Sequence, residues 1–189
     1  MTTPTAVPAS HAARESLPGN PMMWLLIAAE LMVFGGGLIA YAGARALDPL
    51  AFLAAQSTLD RLAGTINTAV LLTSGLFAAL AVVAREAGRR AVTRGWLAAA
   101  AALGVVFLVV KAHEYGAEIA AGHGLGDGGF WTLYYLITGF HAVHVIFGIL
   151  ILGLVAWFDD VEHVETGTAF WHMVDLVWVV VFPCIYLFR

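Results

Sequence analysis

Apolar residues run almost without interruption through five segments of this chain, at about Met22 to Ala44, Leu62 to Ala84, Trp96 to Ala120, Phe130 to Phe158 and Thr168 to Phe188. A helix rising ~1.5 Å per residue needs about 20 apolar residues to cross a hydrocarbon layer ~30 Å thick, and each segment meets that length. The apolar positions are continuous and do not alternate, so they do not describe the strands of a barrel, and lipid leaves no partner for an open sheet. The pattern predicts an all-α integral membrane protein, a bundle of five transmembrane helices forming one domain over residues 21–189. Met1 to Asn20, rich in Pro, Ala, Ser and Thr, reads as a mobile tail without the basic start and short apolar run of a cleavable signal.

The polar links orient the bundle. The link "REAGRRAVTRG" carries Arg85, Arg89, Arg90 and Arg94, and such an excess marks a cytoplasmic loop. It follows that the N-terminus is cytoplasmic, the C-terminus lies outside, and "DDVEHVE" (Asp159 to Glu165) is an acidic cytoplasmic loop of a protein in the bacterial inner membrane. Arg45 and Arg61 in the first outer loop oppose this assignment, but Asp48 and Asp60 lie beside them.

Composition agrees with the pattern. Of 189 residues, 61% are hydrophobic and 12% charged, with a mean hydropathy of +0.86, far from the balance of a soluble domain. Cys184 is the single cysteine, which excludes an internal disulfide and a cysteine-built metal cluster. A net charge of -4 without a long basic run gives no footprint for nucleic acid.

Candidate chemistry lies in the polar residues inside the apolar runs. Glu30, in "LLIAAELMVFGGG", sits near the middle of the first span, where a charge is costly. Two readings stand: a proton-handling or inhibitor-reactive carboxyl, or a neutral acid bonded to a neighbouring helix. The glycines Gly35, Gly36 and Gly37 beyond it suggest a close helix contact. The second span offers Asn67, Thr68, Thr73 and Ser74, read as interhelical hydrogen-bonding groups. The third ends in "VVKAHEYGAEI", where Lys111 and Glu114 are spaced to pair, Tyr115 follows, and Glu118 shares a face with Glu114. The long stem of Lys111 can reach toward the interface.

The fourth and fifth spans hold the histidines. His141 and His144 lie about 60° apart around their helix; His172 and Asp175 are again i, i+3, with Trp171 and Trp178 beside them. Three histidines with nearby carboxylates could compose a di-iron or haem site, but the Glu-x-x-His repeat of helical di-iron proteins is absent. Opposite helix directions also set His141 and His172 at different depths, which favours separate pairs, His141 with Glu114 and His172 with Asp175, over one shared metal. A third reading makes Glu30, Lys111 and Glu114 a relay in a proton-coupled transporter, for which no inverted repeat is visible.

Laid in order, "AAELMVF", "INTAVLLTSG", "KAHEYGAEI", "TGFHAVHVIFG" and "FWHMVDLVWVVVFPCIYL" resemble subunit III of the haem-copper oxidases, over Trp24 to Phe188. The resemblance implies an accessory, non-redox subunit that binds no cofactor itself, with haem and copper or iron in a catalytic, subunit I-like partner, phospholipid as a further ligand, and a contribution to proton uptake. It places Glu30 where the family has a carbodiimide-reactive carboxyl, and Glu114, His141, His144, His172 and Asp175 at inward positions that link helices without binding metal. Larger members have two more helices before the one carrying the glutamate. "LFAALAVVAREAG", "KAHEYGAEIAAG" and "VVFPCIYLFR" are most similar to a five-helix branch associated with nitric oxide reductase.

Overall fold

The computed structural model describes residues 21–158 and 160–188, so the tail expected over residues 1–20 lies outside the described residues. Five long helices are present: α1 (Pro21–Leu47), α3 (Arg61–Glu86), α4 (Arg90–Ala120), α5 (Gly129–Phe158) and α6 (Val161–Phe182). All five are long and apolar enough to cross a membrane.

A sixth helix, α2 (Pro49–Thr58), corrects the count. Its 10 residues are too short to span a bilayer, so a search for spanning lengths passes over it. Its start was nonetheless written in the chain: Asp48 accepts a hydrogen bond from Ala51 N at 3.2 Å, and Pro49 occupies the first turn, where a missing N–H costs nothing. Asp60 caps α3 in the same way, through Ala63 N at 3.0 Å.

The segment expected as an acidic loop is a second correction. The carboxylate of Asp160 accepts from Val161 N and starts α6 there, so Val161 to Glu165 are helical and two residues separate α5 from α6. The arginine link is similarly tight: α3 ends at Glu86, α4 begins at Arg90, and Gly88 turns the chain at φ 70°.

Helices α3 to α6 form the body of the bundle, α4 touching α3 and α5, and α6 touching α5 and α3, while α1 lies against α5 and α6. Small residues bring the helices close. Trp171 of α6 sits in a slot between Gly104 and Gly148, where an added Cβ would come within 2.6 Å and 2.5 Å of its ring. Of the glycine triplet on α1, only Gly37 faces a neighbour, Ile137 of α5; Gly35 and Gly36 have open space, so the close contact foreseen for all three is confined to one.

At its far end α6 meets Pro183, which lacks an N–H, and the chain widens into a π-helical turn, Pro183–Leu187. The carbonyls that this turn exposes are taken up by α2: Gln56 Nε2 donates to Ile185 O at 2.7 Å and to Phe188 O at 2.8 Å. Phe52 of α2 completes an aromatic cluster with Tyr41 and Phe130. The short helix therefore fastens the chain end onto the bundle.

Candidate functional site: a polar interior

The polar side chains within the spans form several separate groups, and one pair, His172 and Asp175, borders the bundle surface. The largest group surrounds Lys111. Its Nζ lies 3.3 Å from Glu114 Oε2 and donates to Tyr134 OH at 3.1 Å and Tyr186 OH at 2.8 Å. Both tyrosine hydroxyls in turn donate to Glu114 Oε1 at 2.5 Å. The rings of Tyr115, Tyr134, Trp178 and Tyr186 stand 4.8 to 5.5 Å from the ammonium, a cation–π box that contributes about 2 kcal/mol when desolvated. Lys111 is 2% exposed, so its stem does not run to the interface; the ammonium is enclosed by two tyrosine hydroxyls and a glutamate.

Tyr115 extends the group. Thr138 spends its one hydroxyl hydrogen on Tyr134 O, so the 2.7 Å contact between Tyr115 and Thr138 has the tyrosine as donor. Glu118, one turn from Glu114, pairs with His123 at 2.8 Å, and that imidazole stacks on Trp131 at 4.4 Å.

Between α1 and α5, His144 Nε2 lies 3.0 Å from Glu30 Oε2. His144 Nδ1 faces Phe140 O at 2.8 Å, a group that only accepts, so Nδ1 carries the hydrogen. His141 does not join Glu114 as its spacing suggested. It is wholly buried, stacked on Trp178 at 5.0 Å and edged by Phe107 and Phe34, and neither ring nitrogen has a hydrogen-bond partner among the described residues. Glu114 is already committed to two tyrosines and a lysine, which leaves His141 to the aromatic rings.

Two tryptophans join α6 to α3. Trp171 Nε1 donates to Ser74 Oγ at 3.1 Å while Ser74 donates to Ala100 O; seven residues on, Trp178 Nε1 donates to Thr68 Oγ1 at 3.0 Å. Asn67 Nδ2 reaches Phe107 O at 3.2 Å, joining α3 to α4. Thr73, expected inward, is exposed and bonds its own helix at Ala69 O, because the inward register of α3 is taken by Leu71, Ser74 and Ala78.

The outside pair is His172 and Asp175. His172, also expected inward, is 46% exposed; the neighbouring positions Trp171 and Met173 face the core instead. Its Nδ1 lies 3.6 Å from Asp175 Oδ2, and Asp175 Oδ1 has no hydrogen-bond partner among the described residues. Gly75 of α3 makes room for this carboxylate, since a Cβ there would meet Oδ2 at 2.1 Å. A carboxylate at the centre of a span costs about 2.5 to 3.5 kcal/mol on insertion scales.

Among the described residues, no group of three or more His, Cys, Asp and Glu side chains converges on a metal position. His141, His144 and His172 have separate surroundings: an aromatic pocket, a glutamate on α1 and the bundle surface. Sequence reasoning missed Tyr134 and Tyr186 as members of the Lys111 group. Tyr134 was accessible to it, since Tyr134, Thr138 and His141 follow one helical face, whereas Tyr186 is brought in by the π-turn.

Fold and interior together define a class: a multi-helix protein of membrane-spanning dimensions whose polar core joins helix to helix. The chain belongs to the cytochrome c oxidase subunit III family, whose sequence profile matches residues 19–189. It is 29% identical over 194 residues to cytochrome c oxidase subunit 3 of Thermostichus vulcanus, covering 97% of this chain and 94% of that one. The corresponding protein of a Synechocystis species is 30% identical over 172 residues, 86% of this chain and 72% of its own. A protein of Aeropyrum pernix named heme-copper oxidase subunit I+III is 31% identical over 180 residues, which cover 87% of this chain and 22% of the relative.

Proposed function

We propose that this chain is the accessory, non-redox subunit III of a respiratory haem-copper oxidoreductase complex, stabilising a catalytic subunit that carries the haem and metal. The family match over nearly the whole chain carries this reading. The interior supports it: Lys111, Glu114, Glu30, His144, Ser74 and both tryptophans are engaged in joining helices of this chain. They act as clasps, and the chain by itself catalyses nothing. Residues 21–189 form its membrane domain, with the arginine link between α3 and α4 in the cytoplasm, the C-terminus outside, and the bacterial inner membrane as its site. Phospholipid is the ligand assigned to the apolar groove of about 500 Å³ framed by α1, α3 and α6 and lined by Trp24, Ile27, Val82, Val83, His172 and Met173.

Purification of the tagged chain from native membranes in mild detergent tests the proposal. A haem-copper catalytic subunit in near-equal amount is the expected result; the chain alone with stoichiometric metal would overturn it. The haem type and the copper or iron content of that complex separate an oxidase partner from a nitric oxide reductase partner, which "KAHEYGAEIAAG" and "VVFPCIYLFR" favour. Glu30 is the carboxyl expected to react with a carbodiimide, and Glu30→Gln should abolish that labelling. Loss of proton uptake in the same variant would give Glu30 a role beyond its contact with His144.

A further inference from the structure

Lys111 is the single lysine of this chain, and at 2% exposure its amine is shut inside the bundle. Two of its partners, Glu114 and Tyr134, sit on the long helices α4 and α5. The third, Tyr186, sits on the widened turn after Pro183, where Phe188 N reaches back five residues to Pro183 O at 2.9 Å. Such turns are rare, and this one is held from outside its own helix.

Helix ends leave their last carbonyls without partners in the helix. Gln56 of α2 supplies them here, with Nε2 donating to Ile185 O at 2.7 Å and to Phe188 O at 2.8 Å. Ile185 O belongs to the rigid peptide unit that carries Tyr186, so the bond from Gln56 fixes the plane from which that side chain departs. Arg45 cannot substitute, because it donates to Phe188 O and does not reach Ile185 O. Ile185 is wholly buried, and its carbonyl is left unpaired if Gln56 withdraws. Helix α2 itself is lightly fixed. Of its 10 residues only Phe52 and Gln56 are buried, while Leu50 and Leu53 are exposed. An open groove of about 600 Å³, lined by Ala51, Ala55, His123 and Trp131, runs along its side.

We propose that α2 is a strap over Lys111: Gln56 is a positioning residue that holds the π-turn, the π-turn holds Tyr186 against Lys111 and Glu114, and lifting α2 opens the amine. Relaxation of the turn toward ordinary helical winding would rotate its residues by up to about 100°, one residue's step, and take the Tyr186 hydroxyl off both partners. The strap is a property of this chain alone and stands apart from the function proposed above.

Acetylation of Lys111 reads the strap. The full chain is treated in native membranes with the small, membrane-permeant reagent N-succinimidyl acetate, and the modified fraction of the peptide containing Lys111 is followed by mass spectrometry. No other lysine competes in that peptide or elsewhere in the chain. The wild-type chain should react slowly, through transient openings. Gln56→Met keeps the side-chain length but loses both donors, and should react about tenfold faster, the penalty of an unpaired buried carbonyl. Gln56→Asn, one methylene short, should fall between the two, and carries the test if Gln56→Met does not accumulate. Ser74→Ala breaks a buried bond between α3 and α4 away from α2, and should change the rate by less than about twofold. Equal rates in the wild type and the Gln56 variants, or an equal rise in Ser74→Ala, would overturn the strap. In the solubilised Gln56→Met chain, adding Tyr186→Phe should leave the unfolding midpoint nearly unchanged, because the hydroxyl contact is already lost. A full additive shift there would mean that Tyr186 holds Lys111 without help from α2, and would overturn it equally.

Discussion

Two acid–base pairs, Lys111–Glu114 on α4 and His172–Asp175 on α6, share the same i, i+3 spacing, and the bundle treats them in opposite ways. The first is enclosed by four aromatic rings, and both glutamate oxygens are engaged, Oε1 by Tyr134 and Tyr186 and Oε2 by the lysine. The second is half on the surface, its imidazole open to the outside and one carboxylate oxygen without a partner among the described residues. An ion pair in a membrane is affordable once other donors and acceptors complete it, and the first pair is completed by its own chain. The second is left partly open by its own chain, which is why the two should respond differently to the same kind of substitution.

The largest effect is expected from breaking the enclosed pair. Lys111→Met leaves Glu114 buried with two hydroxyls and no cation, and should destabilise the detergent-solubilised chain by about 3 to 5 kcal/mol in denaturant unfolding. Adding Glu114→Leu should recover much of that loss, because a neutral interior replaces an uncompensated charge. A single-variant cost under about 1 kcal/mol would mean that the box does not hold α4, α5 and α6 together.

Next comes the seat of the surface pair. Gly75→Ala drives a methyl group into Asp175 and should cost about 1 to 3 kcal/mol, since either the carboxylate or α3 must shift. Asp175→Ala in the same chain should relieve most of it, and purely additive costs in this double-mutant cycle would show that the contact is not made. Tyr186→Phe removes one hydroxyl from the Lys111 group and should cost about 1 to 3 kcal/mol, toward the upper end because its partners are charged groups. The smallest effect belongs to His172→Leu, within about 0.5 kcal/mol for the isolated chain, as for an exposed position. A cost comparable to that of Lys111→Met would erase the distinction between the two pairs.

How much of this was legible varies by residue. The five long helices follow from apolar length alone, because lipid demands it, and Asp48, Asp60 and Asp160 mark three helix starts by side-chain capping. The pairing of Lys111 with Glu114 follows from helical spacing. The pairing of His144 with Glu30 did not, since it depends on α1 packing against α5, and residues 114 positions apart carry no local sign of contact. His172 and Thr73 were assigned inward because polar residues within spans usually face a bundle. Each lies beside a core residue, and one step of ~100° around a helix separates the interior from the surface.

The chain alone therefore determined the number and approximate placement of the helices long enough to span a membrane, because hydrocarbon thickness and backbone hydrogen bonding act on each segment independently. Only the tertiary structure decided the rotation of each helix, the small-residue slots that seat Trp171 and Asp175, and the π-turn that delivers Tyr186 to Lys111. Those depend on how helices distant in sequence pack, where a change of register by one residue moves a side chain from a neighbour's groove to the surface.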